Sequence, residues 1–468
     1  MTIKDGIKNY WSEFRSKDLF VRLLILFILL SPLMDILTSI GKRELNIDLS
    51  IGILLKGIFL IYIGLRLIIE KSQNKLQQIL RGMVIAVVFY ALTHLTIVYL
   101  NFGLSRMILA ALNLAKTFFF PVFTLGLVKF LKKEDYKDIR DAMVMSGVII
   151  ILTMAISMAT GTDYNAYKFN KLGSVGWFFA ANEVSAFIGI LTPMLLYYLL
   201  EKWKLPLYLK VLSITGYVLV YYQIGTKVVG LSVILVTVFL VLYHMAGKLK
   251  DPKLRVKNQL IPLLLILVVG IGFVPLTPIG INMNIHLELL KYQEPEIGEE
   301  EGASGEELSE DFDMEELLHN NPQVLNFIFS GRDQYFAVRK HIYDEADSLQ
   351  KIFGLSQFGY TDDGEIKSYI VEIDYVDIFF NFGVIGMLLY WGIIFMVIFT
   401  SIYHLLKRKL LFVLNSPIPY IISAMILAFG IGMFAGHVFV SPAVSMYIAL
   451  YIAMLYRETQ SPKKKVTV

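Results

Sequence analysis

The chain has 468 residues, of which 56% are hydrophobic and 18% charged, with a formal net charge of +4 and no cysteine. That composition excludes an ordinary soluble globular protein, and the lack of thiols excludes disulfides, thiolate catalysis and cysteine-ligated metal. The apolar residues come in blocks long enough to cross about 30 Å of hydrocarbon. The fold class expected is therefore all-α: a polytopic membrane helical bundle with one large extracytoplasmic loop carrying an amphipathic helix.

Residues 1–18 are polar and mixed in charge. The first apolar run, Leu19–Ile40, is long enough to span and lacks a small-residue cleavage site, so it is expected to stay as a span rather than leave as a signal. Further apolar runs predict spans near 48–69, 82–100, 106–128, 141–159, 177–200, 205–223, 227–246, 259–279, 372–403, 418–435 and 441–456, about 12 transmembrane helices in all. This divides the chain into an N-terminal bundle (1–279), a loop (280–369), and C-terminal spans with a basic tail (370–468). Lys and Arg crowd alternate connections: Lys4, Lys8, Arg15 and Lys17, then Lys129–Arg140, Lys248–Lys257, Lys407–Lys409 and Lys463–Lys465. The intervening short loops carry few, namely Lys42, Arg43, Arg106, Lys168 and Lys171. The positive-inside rule then predicts both termini cytoplasmic and the 280–369 loop outside.

The loop has two parts. Glu288–Glu316 is acidic, rich in Gly and Ser and poor in aromatics; such a segment buries too little apolar area to order itself, so a mobile insert is expected. A helix is predicted over about 330–353, with a capping box at Ser330 and Asp333. Tyr335, Val338, Ile342, Ala346, Leu349 and Phe353 form an apolar stripe at helical spacing. Arg332, Phe336, Arg339 and Tyr343 form an adjacent face, expected to turn to a polar ligand while the helix lies on the membrane or caps the bundle.

Several residues are candidates for chemistry. Lys227, in Gly225-Thr226-Lys227, opens a span where unpaired N–H groups suit an anion, or it snorkels to the interface. Arg332 and Arg339 either clamp phosphate oxygens through paired N–H donors or form a solvated face. Glu372, Asp374 and Asp377 stand where the chain re-enters the membrane; one is a candidate general base, or they pair with cations of other spans. Asp374 and Asp377 share a helical face with Asn381. Gly383 and Gly386 mark a side of close approach. Asn182 and Glu183 lie in the outer part of the sixth expected span, and Lys116 lies deep in the fourth with Arg106 at its outer end. Asp35 and Lys56 are expected to pair structurally, and His437 is expected to be a satisfied bundle residue. There is no Walker A, no GxGxxG after a strand, no HExxH and no metal-ligand cluster in the sequence. The expected chemistry therefore uses no nucleotide and no metal.

In the order and placement of these motifs the chain resembles the O-antigen ligase and Wzy-type polymerase superfamily of bacterial surface-polysaccharide enzymes. Asn182, Glu183 and Pro193 fit its Asn-containing span ending near a Pro. Thr226-Lys227 stands where the family has Ser/Thr–Arg. Gly331-Arg332 with Tyr335-Phe336 fits its loop Gly-Arg and aromatic. Gly383 and Gly386 supply its GxxG, and eleven residues before Gly383 stands Glu372 in place of the ligase histidine. The substitution weakens the ligase reading and favours a polymerase or a divergent Gram-positive-type relative. The resemblance implies a bacterial plasma-membrane glycosyltransferase with an undecaprenyl-diphosphate-linked oligosaccharide as donor. A second lipid-linked unit is the acceptor, the anomeric centre inverts, and no cofactor is needed. Membrane lipid and other polysaccharide-export proteins are the expected partners, with no nucleic acid. Glu372, Asp374 or Asp377 would take the acceptor's proton; Lys227, Arg332 and Arg339 would hold the diphosphate. A ligase acting on another acceptor is the near alternative, and a lipid-linked oligosaccharide flippase or transporter the alternative from another class.

Overall fold

A computed structural model describes residues 12–47, 50–71, 75–167, 171–250, 256–292, 332–360, 365–408 and 416–460. Before the loop region come α1 (Leu19–Glu44), α2 (Ile51–Ile69), α3 (Lys75–Phe130), α4 (Tyr136–Ala159), α5 (Ala181–Tyr197, prolonged by a π-helical turn at Tyr198–Lys202), α6 (Leu207–Tyr222), α7 (Lys227–Lys250) and α8 (Lys257–Phe273). The loop region holds α9 (Pro278–Tyr292), α10 (Arg332–Glu345), α11 (Ser348–Phe353), β1 (Phe358–Tyr360) and β2 (Ile366–Ser368). The chain continues with α12 (Asp374–Lys407), α13 (Ile418–Phe434) and α14 (Pro442–Gln460). Each apolar run of the sequence is met by helix. Among the described residues, eight helices are long and apolar enough to cross a membrane, and α6 and α13 are shorter apolar helices. Most of the acidic insert, Lys168, Ser330, Gly331, the outermost N-terminal lysines and Lys463–Lys465 lie outside the described residues.

Helix count and crossing count differ because α3 is a hairpin. Its 56 residues break at Gly103, where φ is 80°. The rings of Tyr90 and Phe118 lie 5.6 Å apart, whereas a straight helix rising about 1.5 Å per residue would separate them by roughly 40 Å. The two arms therefore pack back to back.

The bundle is centred on α14, buried from Pro442 to Tyr456. Ser445, Ala449 and Ala453 recur every fourth residue, and small residues so spaced let neighbouring backbones approach. Its tyrosines bond to the helices around it: Tyr447 Oη lies 2.6 Å from Ser146 Oγ, and Tyr451 donates to the Ile190 carbonyl at 2.9 Å. At its far end Glu458 pairs with Arg140 (3.3 Å) and Lys17 with Asp138 (2.6 Å). The described ends of the chain thus share the end of the bundle opposite Pro442.

The loop region caps the Pro442 end. The single helix expected over 330–353 is two helices, because Asp347 opens a second one. Its carboxylate accepts from the Gln350 N–H (2.8 Å), and the Gln350 side chain accepts from the Asp347 N–H (2.9 Å). The orientation of α10 also differs from expectation. The arginine-aromatic face turns inward, with Phe336 against Phe380 and Tyr343 against Phe379, while Tyr335, Val338 and Leu349 of the apolar stripe are exposed. The antiparallel β1–β2 pair was not expected. Arg106 anchors it, donating to the Ile366 carbonyl at 3.1 Å with its guanidinium over Phe358.

Ser356, between α11 and β1, has φ 59° and a buried hydroxyl with no hydrogen-bond partner among the described residues. Left-handed backbone costs a residue with a Cβ about 1–2 kcal/mol. Its backbone N–H donates to the Asn381 carbonyl (2.8 Å), a bond glycine would keep. Ser356→Gly is expected to stabilise the protein by ~1 kcal/mol, read as a higher thermal midpoint in detergent. An unchanged or lower midpoint would show that the hydroxyl is better satisfied than the geometry implies.

Candidate functional site

The site is built on a second broken helix. Asp374–Lys407 is interrupted at Gly383 (φ 65°, ψ −173°), and the rings of Tyr375 and Trp391 stack at 4.9 Å. Sixteen residues of straight helix would put them about 24 Å apart. The first arm, Asp374–Phe382, therefore folds back on the second, so the expected continuous span over 372–403 is a short arm followed by a long one. The close approach expected at the glycines is present. Gly383 meets the backbone of Ile352–Gly354, and Gly386 leaves room for the Tyr90 hydroxyl. That hydroxyl donates to the carbonyls of Phe353 (3.0 Å) and Phe382 (2.7 Å), fastening α11 to the break.

The three carboxylates separate sharply in environment. Asp374 is fully buried and accepts from three successive backbone N–H groups: His437 and Val438 at 2.8 Å and Phe439 at 2.7 Å. Asp377 is buried and accepts from the N–H groups of Val371 (2.9 Å) and Glu372 (3.0 Å). Both are struts that hold loops. Glu372 is different: its side chain is 46% exposed, with Arg332 at 3.1 Å and His437 at 3.8 Å. The face shared by Asp374 and Asp377 thus points into backbone, and the off-face Glu372 is the carboxylate left exposed.

The two arginines separate likewise. Arg339 is 2% exposed and donates to the carbonyls of Phe358 (2.9 Å) and Ser356 and to Asn381 Oδ1 (3.1 Å). Burial lowers its proton affinity to about 10, which still leaves it charged near neutrality. It ties α10, β1 and the short arm of α12 together. Arg332, two turns earlier, is half-buried and contacts Glu372 and the Ala435 carbonyl (3.5 Å).

Further basic side chains gather around Arg332. Lys227, the first residue of α7, is half-buried and feels the charges of Lys171 and Arg332. His286 of α9 feels those of Lys227 and Lys171. Beyond Glu372 the polar network continues. Glu183 accepts from Ser441 Oγ at 2.8 Å and interacts with His437 and Lys116. Asn182 stands half-buried on the same first turn of α5. Asp35 and Lys56 form the expected ion pair at 3.0 Å. No group of His, Asp and Glu among the described residues is arranged to hold a metal ion.

A group of basic side chains, one accessible carboxylate and a capping loop on a many-helix bundle now stand together. A sequence model of the family described as O-antigen ligase like membrane protein matches residues 17–460. The chain belongs to this family. Neither the curated proteins nor the solved structures give a match.

In this O-antigen ligase-like membrane protein His437, which the sequence offered only as a satisfied bundle residue, stands beside the site. It is 32% exposed and faces Glu372 from the α13–α14 turn. A legible signal was its place in Phe434-Ala435-Gly436-His437, just past a helix end and after a glycine, where polar residues seldom serve packing alone. The backbone confirms a constrained position: Glu372 has φ 63° and His437 φ 58°. Such conformations cost on the order of 1–3 kcal/mol each and persist where the surroundings over-determine them. The facing imidazole, and secondarily Arg332, hold the Glu372 carboxyl below its ordinary value despite partial burial. Glu372 in turn raises the His437 imidazole above its ordinary value, again against burial. The stability this pair contributes is therefore complete between about pH 4.5 and 6.5. It fades as pH falls through the lowered carboxyl or rises through the raised imidazole.

Proposed function

We propose that this protein is a membrane glycosyltransferase acting on the extracytoplasmic face of a bacterial plasma membrane, with both termini cytoplasmic. It polymerises a cell-surface polysaccharide from undecaprenyl-diphosphate-linked repeat units without metal or nucleotide. The observation that carries the reading is the meeting of Arg332 with Glu372 at 3.1 Å beside Lys227 and Lys171. A diphosphate leaving group needs positive charge where its own negative charge develops, and preorganised donors of this kind are often the largest single contribution to rate. An incoming sugar hydroxyl needs an accessible proton acceptor on the other side of the anomeric carbon, and Glu372 is the one carboxylate of the three that is open. The hydroxyl oxygen attacks C1, and the bond from C1 to the phosphate oxygen breaks with its electrons leaving on the diphosphate. Direct displacement inverts the anomeric centre. Arg332 serves both sites, so arrival of the diphosphate competes with Glu372 for the guanidinium and frees the carboxylate for the acceptor. Arg339, Asp374 and Asp377 act by positioning, and Asn182, Glu183 and Lys116 support the acceptor side.

The family description favours a second reading, transfer of a finished glycan to a different acceptor. Purified protein in vesicles with lipid-linked repeat units alone separates the two. A polymerase lengthens the glycan unaided, a ligase requires the second acceptor, and a flippase forms no bond in either case. Arg332→Ala is expected to lower the rate by about 100- to 1,000-fold, and Lys227→Ala to weaken donor binding, both with unchanged thermal midpoints. Full activity in both variants would remove the diphosphate clamp. Lys227→Arg is expected to be tolerated, since it keeps the charge and adds a fork.

A further inference from the structure

Resting on that reading, we infer that His437 is the second half of the base: Glu372 and His437 act as one proton-handling pair, and the acceptor's hydroxyl proton comes to rest on the imidazole. The geometry is specific. His437 Nε2 faces Glu372 Oε1 at 3.8 Å, close enough for an ion pair that a small shift turns into a hydrogen bond. The two residues come from segments far apart in sequence, yet their backbones are in contact: a side chain at Gly436 would strike the Glu372 carbonyl. The His437 N–H is fixed by Asp374 at 2.8 Å, and Asp374 bonds the next two N–H groups as well. Both members of the pair keep left-handed backbone. A loop so clamped presents one imidazole to one carboxylate.

The groups facing His437 set where the proton goes. Glu372 and Asp374 face it from the start of α12, and Glu183 from the start of α5, all of them negative or able to be so. Arg332 of α10 lies on the far side of Glu372. Three carboxylates around an imidazole stabilise its cation, while Arg332 and the imidazole stabilise the Glu372 anion. A proton delivered to either group therefore settles on His437. The active form is Glu372 ionised with His437 neutral. Taking the hydroxyl proton yields the carboxylate–imidazolium pair, the diphosphate departs on the lipid, and the imidazolium then releases its proton to water. A general base whose affinity lies near ambient pH is the efficient choice.

The test is glycan elongation from undecaprenyl-diphosphate-linked repeat units by the full-length protein between pH 5 and 9. Wild type is expected to gain rate through one step above about 6.5, the ordinary imidazole value, and then level off. His437→Asn, a residue that tolerates left-handed backbone, is expected to lose about 100-fold or more at pH 7 and to lose the step. Its binding of undecaprenyl diphosphate should stay within about twofold of wild type. The exchanged pair, Glu372→His with His437→Glu, is expected to regain part of the rate and the step. Wild-type rate and pH profile in His437→Asn would overturn the pair while leaving the transferase reading intact. A wild type that elongates nothing would overturn the transferase reading. The pair is then decided by the His437 imidazole titration, assigned by its loss in His437→Asn: a lower midpoint in Glu372→Gln supports it, and an unmoved one overturns it.

Discussion

Asp374→Ala is expected to abolish elongation and to lower the thermal midpoint more than any other single carboxylate change. Three consecutive N–H groups, those of His437, Val438 and Phe439, share this one carboxylate at 2.7–2.8 Å in a fully buried setting. Each buried donor left without a partner costs about 1–3 kcal/mol, so the loss is at least ~3 kcal/mol. The damage is local as well as global, because those N–H groups define the turn that presents His437 to Glu372. Asp374→Asn should be intermediate. Oδ2 takes two of the bonds, so an amide can keep that oxygen in place while its NH2 opposes the His437 N–H. Hydrogen exchange over residues 436–439, read with the elongation rate and the melting curve, checks this: faster exchange in Asp374→Ala than in Asp374→Asn, and in both above wild type. A variant that exchanges and elongates like wild type would show that the turn is held by its own backbone.

The same residue shows where sequence reading stopped. Glu372, Asp374 and Asp377 are interchangeable by type and nearly so by position, and a local pattern put all three at one mouth. What separates them is which backbone N–H groups lie opposite: those of residues 437–439, about sixty positions later, for Asp374, and those of Val371 and Glu372 for Asp377. Arg332 and Arg339 are two turns apart on one helical face, yet one opens on the site and the other is enclosed by the carbonyls of Ser356 and Phe358. The helices were legible because each needs only its own apolar run to be recognised. The hairpin nature of α3 was legible too, since a gap in hydropathy fell at the break. The fold-back of α12 was not: Asn381 is the one polar residue near the break, too little to open a gap in hydropathy, and Gly383 read as a packing glycine within a continuous helix. The setting of His437 was hidden for the same reason as the settings of the carboxylates. A single histidine in an apolar stretch is usually explained by its immediate neighbours, and here the partner, Glu372, comes from another part of the chain.

Gly383→Ala is the complementary expectation, aimed at backbone instead of side chain. Gly383 has φ 65° and ψ −173°, a region open essentially to glycine alone. A Cβ there would lie 2.5 Å from the Gly354 nitrogen and 2.6 Å from the Ile352 carbonyl oxygen. Both are backbone atoms, so no rotamer change relieves the clash. The conformational strain and the forced separation of α11 from α12 together cost on the order of 3 kcal/mol or more. They also pull apart the two carbonyls that share the Tyr90 hydroxyl. The short arm of α12 carries Asp374 and Asp377, so its displacement should silence elongation even where the helices survive. Gly386→Ala provides the contrast. Its added methyl would meet the Tyr90 hydroxyl and the Phe382 Cβ, which are side-chain atoms, and removing that hydroxyl with Tyr90→Phe should restore part of the loss. Tyr90→Phe should restore nothing in Gly383→Ala. Melting curves and elongation rates of the two single and two double variants decide the matter: rescue of both glycine changes by Tyr90→Phe would mean that crowding at Tyr90, and not the backbone turn at Gly383, holds the short arm in place.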